Sequence, residues 1–525
     1  MSAGVIGLAI LAGHNLHAQT QDAVAEGVSQ FGNGAATSSR GGFSSEGSDK
    51  QRLTIEPRID VVETYSDNAF LSSTDRRSEF ITEVSPGIRI SGTGRRIRGV
   101  FDYALRRFMY ANGSAEDNTQ HNLSSFATIE AVDSFAYIDL AGNVSRQAIS
   151  AFSTQTGNTS QSNSNLTQVA NYSVSPYLKG DLKGNAKYEL RYRRSIFKND
   201  STVASNSLTD DWLGAVGQDY FSKRFGWLAQ ISRTVVSYDV GRDTKANQIR
   251  GVLNSFPNPQ LKLYISGGSE ENNYLTLESK RYTNYGVGFA WRLNERTRVE
   301  AEQSHRFFGN GHKIVFAHSS AKSATLITDS KDVVINSNTG ASGSGNSLYD
   351  LLFSQFAAME PDATRRAQLV DSYIRANGLN RDTVIGSSFL SNTATLQRLQ
   401  QASVSFFGIR SAVSLFLSKT QTQSLGNFNL SPDSGLGAQY IRQNGFGGAF
   451  SRKLTPTSSI NFLASIQRAS GVSTSQKSKL QFYSVTYTKQ IAPTATLGFG
   501  LRRSIFDAVS GYRELAAYGS VSFRF

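Results

Sequence analysis

The chain has 525 residues, enough for two or three soluble domains or one large barrel, and it has no cysteine, which excludes disulfides, thiolate catalysis and cysteine metal sites. Its formal net charge of +13 points to an anionic partner, but the basic residues stand singly along strand-like segments rather than in runs, so nucleic acid is not the expected partner. Nine prolines against 46 glycines, with 32 Phe and 21 Tyr, fit sheets joined by tight turns.

The first stretch, "MSAGVIGLAILAGHNLHAQT", carries an apolar run from Ala3 to Gly13 and a small residue, Ala18, at a cleavage position. It reads as a secretory signal over residues 1–18. The Lys or Arg that should precede such a run is missing, so a start upstream of Met1 is expected. Residues 19–52, rich in Gly, Ser, Ala and Gln, read as a flexible leader. No window of about 20 apolar residues follows, and mean hydropathy is −0.32. An exported chain without such a helix still has one way through a membrane, the closed barrel.

From Leu53 to Phe525 the texture is that of a barrel. Segments of about 10–14 residues alternate in polarity between turn residues. In "NAKYELRYRR", Ala186, Tyr188, Leu190 and Tyr192 oppose Lys187, Glu189, Arg191 and Arg193. In "TNYGVGFAWR", Tyr285, Val287, Phe289 and Trp291 oppose Asn284, Gly286, Gly288, Ala290 and Arg292. "SSINFLASIQ" and "TATLGFGLRRS" behave alike; residues 210–221 are ambiguous. Short connections ("GTGR", "FPNP", "LNER", "LTPTSS") alternate with longer polar ones ("SSTDRRS", "SAFSTQTGNTSQSNSN"). The expected fold is all-β: a transmembrane antiparallel up-and-down β-barrel of about 20 strands, range 16–22, in the outer membrane of a Gram-negative bacterium. An even count puts both ends of the chain in the periplasm.

One connection departs from this pattern. Residues 327–402 begin polar and glycine-rich and then turn helical. "SLYDLLFSQFAAM" opens with Ser347 and Asp350 at capping-box spacing. "PDATRRAQLVDSYIRANG" runs from Pro361 to Gly378, with Leu369, Val370, Tyr373 and Ile374 on one helical face. By strand parity this short helical insert falls on the short-turn, periplasmic side, placed to plug the pore, cap it or bind a partner.

The chain ends "YGSVSFRF". Phe523 and Phe525 fall on the lipid face, Ser520, Ser522 and Arg524 on the lumenal face. A terminal Phe behind alternating apolar residues is the signal read by the barrel-assembly machinery. By the same alternation Arg58, Arg89, Arg98, Arg106, Lys187, Arg191, Arg193, Arg292, Arg298, Arg502 and Arg524 point inward, with Glu56, Asp60, Asp102, Glu189, Glu300 and Glu302 beside them. An excess of basic side chains favours anionic permeants, and inward aromatics such as Phe108 and Tyr110 suit stacking on sugar rings. The opposing reading is that these Arg residues and carboxylates pair and fill the wall.

Catalytic constellations are thin. Beyond the signal the histidines are His121, His305, His312 and His318, with no metal-ligand spacing, so no metal and no cofactor is expected. His318 and Ser320 stand two apart, as in a barrel-wall hydrolase, but no third group orients the histidine. Glu300 and Glu302 lie about 7 Å apart on one strand face, which a charged lumen produces routinely. The expectation is no enzyme.

Three stretches resemble the outer-membrane β-barrel porins associated with PEP-CTERM (exosortase) and exopolysaccharide gene systems. "ETYSDNAFL" supplies Tyr65, Asp67 and Asn68. "RFFG" supplies Arg306, Phe308 and Gly309. The insert and its exit supply Arg366, Gly378, Gln397, Arg398, Gly408 and Arg410. The resemblance covers roughly Leu53 to Phe525. It implies a pore for export of an anionic exopolysaccharide. The alternative is a structural barrel that docks periplasmic or surface partners through its insert. Implied partners are outer-membrane lipid and lipopolysaccharide, the assembly machinery, exopolysaccharide and periplasmic export components.

Overall fold

The computed structural model describes residues 52–525 apart from 114–115, 158–162, 183–185, 202–204, 223, 336–346, 357–362, 377–388, 391–393, 426–439 and 473–475. The expected signal and leader up to residue 51, and Pro361 and Gly378 with the side chain of Asp350 in the insert, lie outside the described residues, whereas Arg52, the last residue of the expected leader, already belongs to the first strand.

Twenty-two strands form one sheet. The first eight are β1 (Arg52–Ser66), β2 (Glu79–Thr93), β3 (Ile97–Tyr110), β4 (Asn118–Val132), β5 (Ala136–Ala148), β6 (Leu166–Leu182), β7 (Ala186–Asn199) and β8 (Ser207–Ser222). They continue as β9 (Phe225–Tyr238), β10 (Thr244–Asn258), β11 (Leu261–Asn272), β12 (Lys280–Asn294), β13 (Thr297–Arg306), β14 (Gly309–Ser319) and β15 (Ser323–Val334). Two helices follow, α1 (Leu348–Gln355) and α2 (Ala363–Ala376). The rest are β16 (Thr395–Phe407), β17 (Ser411–Ser424), β18 (Tyr440–Thr455), β19 (Ser458–Ser470), β20 (Lys477–Ala492), β21 (Ala495–Asp507) and β22 (Tyr512–Arg524).

Each strand pairs antiparallel with its neighbours in sequence, and β22 returns to β1, with Arg58 facing Arg524 and Ser66 facing Ala516. The ring is therefore closed and leaves no unpaired edge. The expected up-and-down barrel is what the chain forms, at the top of the expected strand range.

The two faces separate as the alternation requires. Ile231 and Ile249 are register partners on the outside and stay 58 % and 60 % exposed. Leu53, Leu190, Val287, Phe446, Phe499 and Leu501 share that exposed outer surface. Arg89, Asp102, Arg250, Glu270, Arg502 and Glu514 are buried on the inside. Apolar outside and charged inside is the polarity of a barrel solvated by lipid. Phe523 lies on the outer face in register with Ile59, and Phe525 donates its amide to the Pro57 carbonyl at 3.0 Å.

The seam is tied side chain to backbone as well. Asp67 and Leu515 exchange hydrogen bonds at 3.1 and 2.8 Å. The fully buried Asn68 donates to the Ser72 and Arg513 carbonyls and accepts from the Ser72 amide.

The insert differs from expectation in extent and in place. β15 runs on to Val334 and β16 starts at Thr395, so the wall takes both flanks of residues 327–402. Counting strands from β1, the insert leaves at the end opposite the chain termini, with the longer connections and not with the short turns. The physical cause lies at β13 and β14, joined only by Phe307 and Phe308. An apolar two-residue corner gives no polar loop signal, and a parity count that misses it moves everything downstream to the wrong end.

Candidate functional site

The lumen is occupied by the chain itself. In α2 the buried side chains are Arg366, Ala367, Val370, Asp371 and Ile374, an i, i+3/i+4 stripe. Leu369, expected on this stripe, is 40 % exposed because it lies about 100° round the helix from Val370. In α1, Leu348, Tyr349, Leu352 and Phe353 are buried, followed by Phe356. These residues pack with Val100 and Phe126 on one wall and Phe407 and Phe416 on another. β3 and β4 stand nearly opposite β16 and β17 in the ring, and all four wall residues lie toward the short-turn end. The helices thus reach across and down the lumen from the long-connection end.

Aromatic contacts fix the crossing. Phe356, Tyr373 and Phe407 form a mutual edge-on trio with centroids 5.5–5.9 Å apart. The Arg366 guanidinium sits 4.5 Å from the Phe353 ring centroid. Burial pushes the Tyr373 phenol up to about 12, so its hydroxyl stays protonated beside Ser414.

One ion-pair chain joins plug to wall. Asp371 of α2 pairs with Arg89 of β2. Arg89 also meets Asp102 of β3 at 3.3 Å, and Asp102 accepts from Arg58 of β1 at 2.7 Å. Arg89, Asp102 and Asp371 are all buried. Charges desolvated in this way persist only when matched, so the network holds α2 in one position.

A second closure lies nearer the long-connection end. Phe389 forms a parallel bridge with Ala148 at the end of β5, and the Leu390 amide donates to the Ala148 carbonyl at 2.9 Å. Phe389 then packs on Ile441 and Ala469, from β18 and β19 across the ring. The β5–β6 connection crosses the mouth too. Ser478 of β20 donates to the Ala151 carbonyl and Tyr512 of β22 to the Gln155 carbonyl, at 2.9 and 2.7 Å. Gly157 lies so close to Phe482 that an added Cβ would overlap the ring at 2.1 Å.

No family model matches this chain, and no curated protein matches it. Solved structures do. The FrpB iron transporter from Neisseria meningitidis (F5-1 variant) is 10 % identical over 90 % of this chain and 82 % of its own, with a TM-score of 0.49. The siderophore receptor PirA from Pseudomonas aeruginosa is 8 % identical over 90 % and 80 %, with a TM-score of 0.44. A mutant ferric enterobactin receptor from the same organism is 9 % identical over the same shares, with a TM-score of 0.44. The likeness is one of barrel and extends no further. With its closed wall, apolar exterior and even strand count, the chain is a large outer-membrane β-barrel.

The inward basic residues mostly meet carboxylates. Arg58 and Arg89 share Asp102. Arg106 pairs with Glu83 at 2.6 Å, Lys187 with Asp219 at 3.4 Å, and Arg193 with Asp211 at 2.7 Å. Arg191 holds Asp139 and Glu189, Arg298 holds Glu300, and Arg502 holds Glu514 at 3.1 Å. Arg98 and Arg292 face the lumen near the short turns. Phe108 and Tyr110 point inward as expected but are buried, so they offer no open stacking face.

Neither catalytic candidate assembles. Glu300 and Glu302 are bound to Arg298 and Arg250. The His318 Nδ1 meets Thr297 Oγ1 on the outer face, and Ser320 sits in the following turn against Ser323.

The motif residues fall at structural joints. Tyr65 packs against Phe80 across β1–β2, the rings tilted with centroids 5.0 Å apart, and Asp67 and Asn68 hold the seam. Arg306 binds Glu270 and Asp332. Its neighbour Phe307 packs with Ile335 and Ala394, the residues at which the chain leaves the wall and returns. Phe308 packs against this cluster, and Gly309 adopts φ +92°, which a side chain would strain. Arg398 faces outward against Asp329, Gln397 inward, and Gly408 and Arg410 form the β16–β17 turn. Phe389 lies in the insert's exit that carries the resemblance, but its bridge to Ala148, like Asp371 and the crossing of residues 151–157, escaped the sequence reading. Helical spacing marks a buried stripe but not the surface that buries it.

Proposed function

We propose that this barrel is a gated transport protein whose resting lumen is closed by its own insert. The supporting observation is the Arg89–Asp102–Asp371 network, which ties a lumenal helix to β2 and β3, while the Phe356–Tyr373–Phe407 trio fixes the insert to β16 across the ring. Barrels of 22 strands are wide enough to need such filling. The neutralised wall favours neither sign of permeant while the plug is seated. A displaced Asp371 leaves Arg89 and Arg58 with Asp102 and Asp60, so opening takes one negative charge away from this wall site.

The cargo we infer is a polymer, the anionic exopolysaccharide implied by the sequence resemblance, passing once the insert moves. Docking of a partner through the insert is the weaker reading, since the apolar stripes of both helices already face the wall.

The test is single-channel conductance in planar bilayers. Val334 and Thr395 are register partners on adjacent strands, so a short turn can replace residues 336–393 without straining the wall. Full-length protein should be nearly silent. The deletion should conduct, and a soluble polyuronate should block its current. A folded deletion barrel as silent as its parent would end the gated-pore reading. Conductance unaffected by acidic polysaccharide would end the cargo assignment.

A further inference from the structure

The outer face carries charge that the lumen does not explain. Above the apolar belt, toward the long-connection end, many outward bases meet a carboxylate. Arg107 pairs with Asp117, Arg194 with Asp210, Arg281 with Glu271, and Arg398 and His312 with Asp329. On β17–β20 the pattern changes. Lys419, Arg442, Arg468, Lys477 and Lys479 all face outward there, and among the described residues none of them is ion-paired.

Register makes the patch dense. Lys419 is opposite Asn444, Asn444 opposite Arg468, and Arg468 directly opposite Lys479. Directly opposed residues have Cα atoms only about 4.5–5.5 Å apart, and like charges so placed repel. Arg442 sits one outward position higher on β18, over the Tyr440 ring at 6.0 Å. Asp507, in register with Lys479 from β21, is the carboxylate at the edge and makes no ion pair with it. The apolar belt ends just below, at Leu417, Phe446 and Ile466 one outward position down and at Tyr483 one further, past Gln481. One outward step along a strand is about 6.6 Å, so the cations stand at headgroup height.

We propose that this face of β17–β20 binds the phosphate groups of a phosphorylated glycolipid of the outer leaflet. The apolar side chains below would take its acyl chains. Two opposed cations with no carboxylate between them fit a doubly charged phosphate better than they fit each other. The end opposite the chain termini is the outer-leaflet side of such barrels, where phosphate-bearing glycolipid is the surrounding lipid. The assignment does not depend on whether the barrel conducts.

Full-length protein in a non-ionic detergent is titrated with bisphosphorylated lipid A, fully dephosphorylated lipid A, phosphatidylglycerol and inorganic phosphate. Retained lipid is read by native mass spectrometry. The double variant Arg468→Gln/Lys479→Gln should weaken lipid A binding roughly thirtyfold. Its heat-modifiable gel mobility should be that of the parent. Arg281→Gln, at a paired outer site, should change nothing. Removing both phosphates from lipid A should weaken binding to the parent as much as the double variant does. A folded double variant that binds lipid A like the parent, or dephosphorylated lipid A that binds like the bisphosphorylated form, would overturn the site. Phosphatidylglycerol binding as tightly as lipid A, or millimolar phosphate displacing it, would overturn the assignment to a glycolipid.

Discussion

Asp371 is the residue on which the plug's position turns. Its carboxylate lies between a helix and a wall, buried, against Arg89. Removing one member of a buried pair is costly because the partner charge stays behind. Here the loss is partial, since Asp102 still faces Arg89. Asp371→Asn should therefore lower the opening free energy of α1 and α2 by up to ~3 kcal/mol. That corresponds to about a hundredfold faster amide exchange in those helices with wall strands unchanged, readable by hydrogen-exchange mass spectrometry. Exchange that accelerates equally in the wall would make Asp371 a general stability residue and not a latch. The sequence showed Asp102 as an inward carboxylate because strand alternation fixes direction. Nothing in a helix's own spacing says which strand its acid will meet, so Asp371 was illegible.

At the level of elements, what could be read depended on how cleanly an element divides its two faces. β7 alternates cleanly from Ala186 to Arg193 and β12 from Asn284 to Arg292, and there the faces fall as the alternation requires. β8 was ambiguous because Asp210 points outward, satisfied there by Arg194 at 2.9 Å and Tyr192 at 2.5 Å. A polar residue on the lipid face is invisible to a pattern that assumes apolar means outside. The seam between β1 and β22 was half legible. The terminal alternation marked β22 as a wall strand, whereas the role of Asn68 comes from contacts more than 440 residues away in sequence. Asn68→Ala removes the side chain that receives the Ser72 amide and donates to two carbonyls. Losing these bonds inside a buried turn costs ~1–3 kcal/mol. The temperature at which the folded band converts to the unfolded band on detergent gels should fall, while Asn112→Ala, outside the seam, leaves β1–β22 pairing intact. An unchanged conversion temperature would show that the backbone ladder alone closes the ring.

At the scale of the molecule, the two closures have different owners. The lower one is made by α1 and α2 alone against the wall. The upper one is shared, for Phe389 and Leu390 belong to the insert while Ala151 to Gln155 belong to the β5–β6 connection and are held from β20 and β22. Deleting the insert therefore empties the lower lumen but leaves a ledge across the mouth. The deletion barrel should conduct below the level set by its wall, with the current noise of a loosely held segment. Ser478→Ala and Tyr512→Phe remove the two hydrogen bonds that draw this ledge across the ring, and neither touches the β20–β21 or β21–β22 backbone ladder. Added to the deletion they should raise conductance again. Added to the full-length protein they should do little, because the helices below still fill the lumen. That ordering distinguishes two gates in series from a single plug. If the substitutions open the full-length barrel by themselves, the upper layer is the true gate and α1 and α2 leave a path around them. If they add nothing to the deletion, the crossing segment follows the insert out of the mouth and the closures act as one.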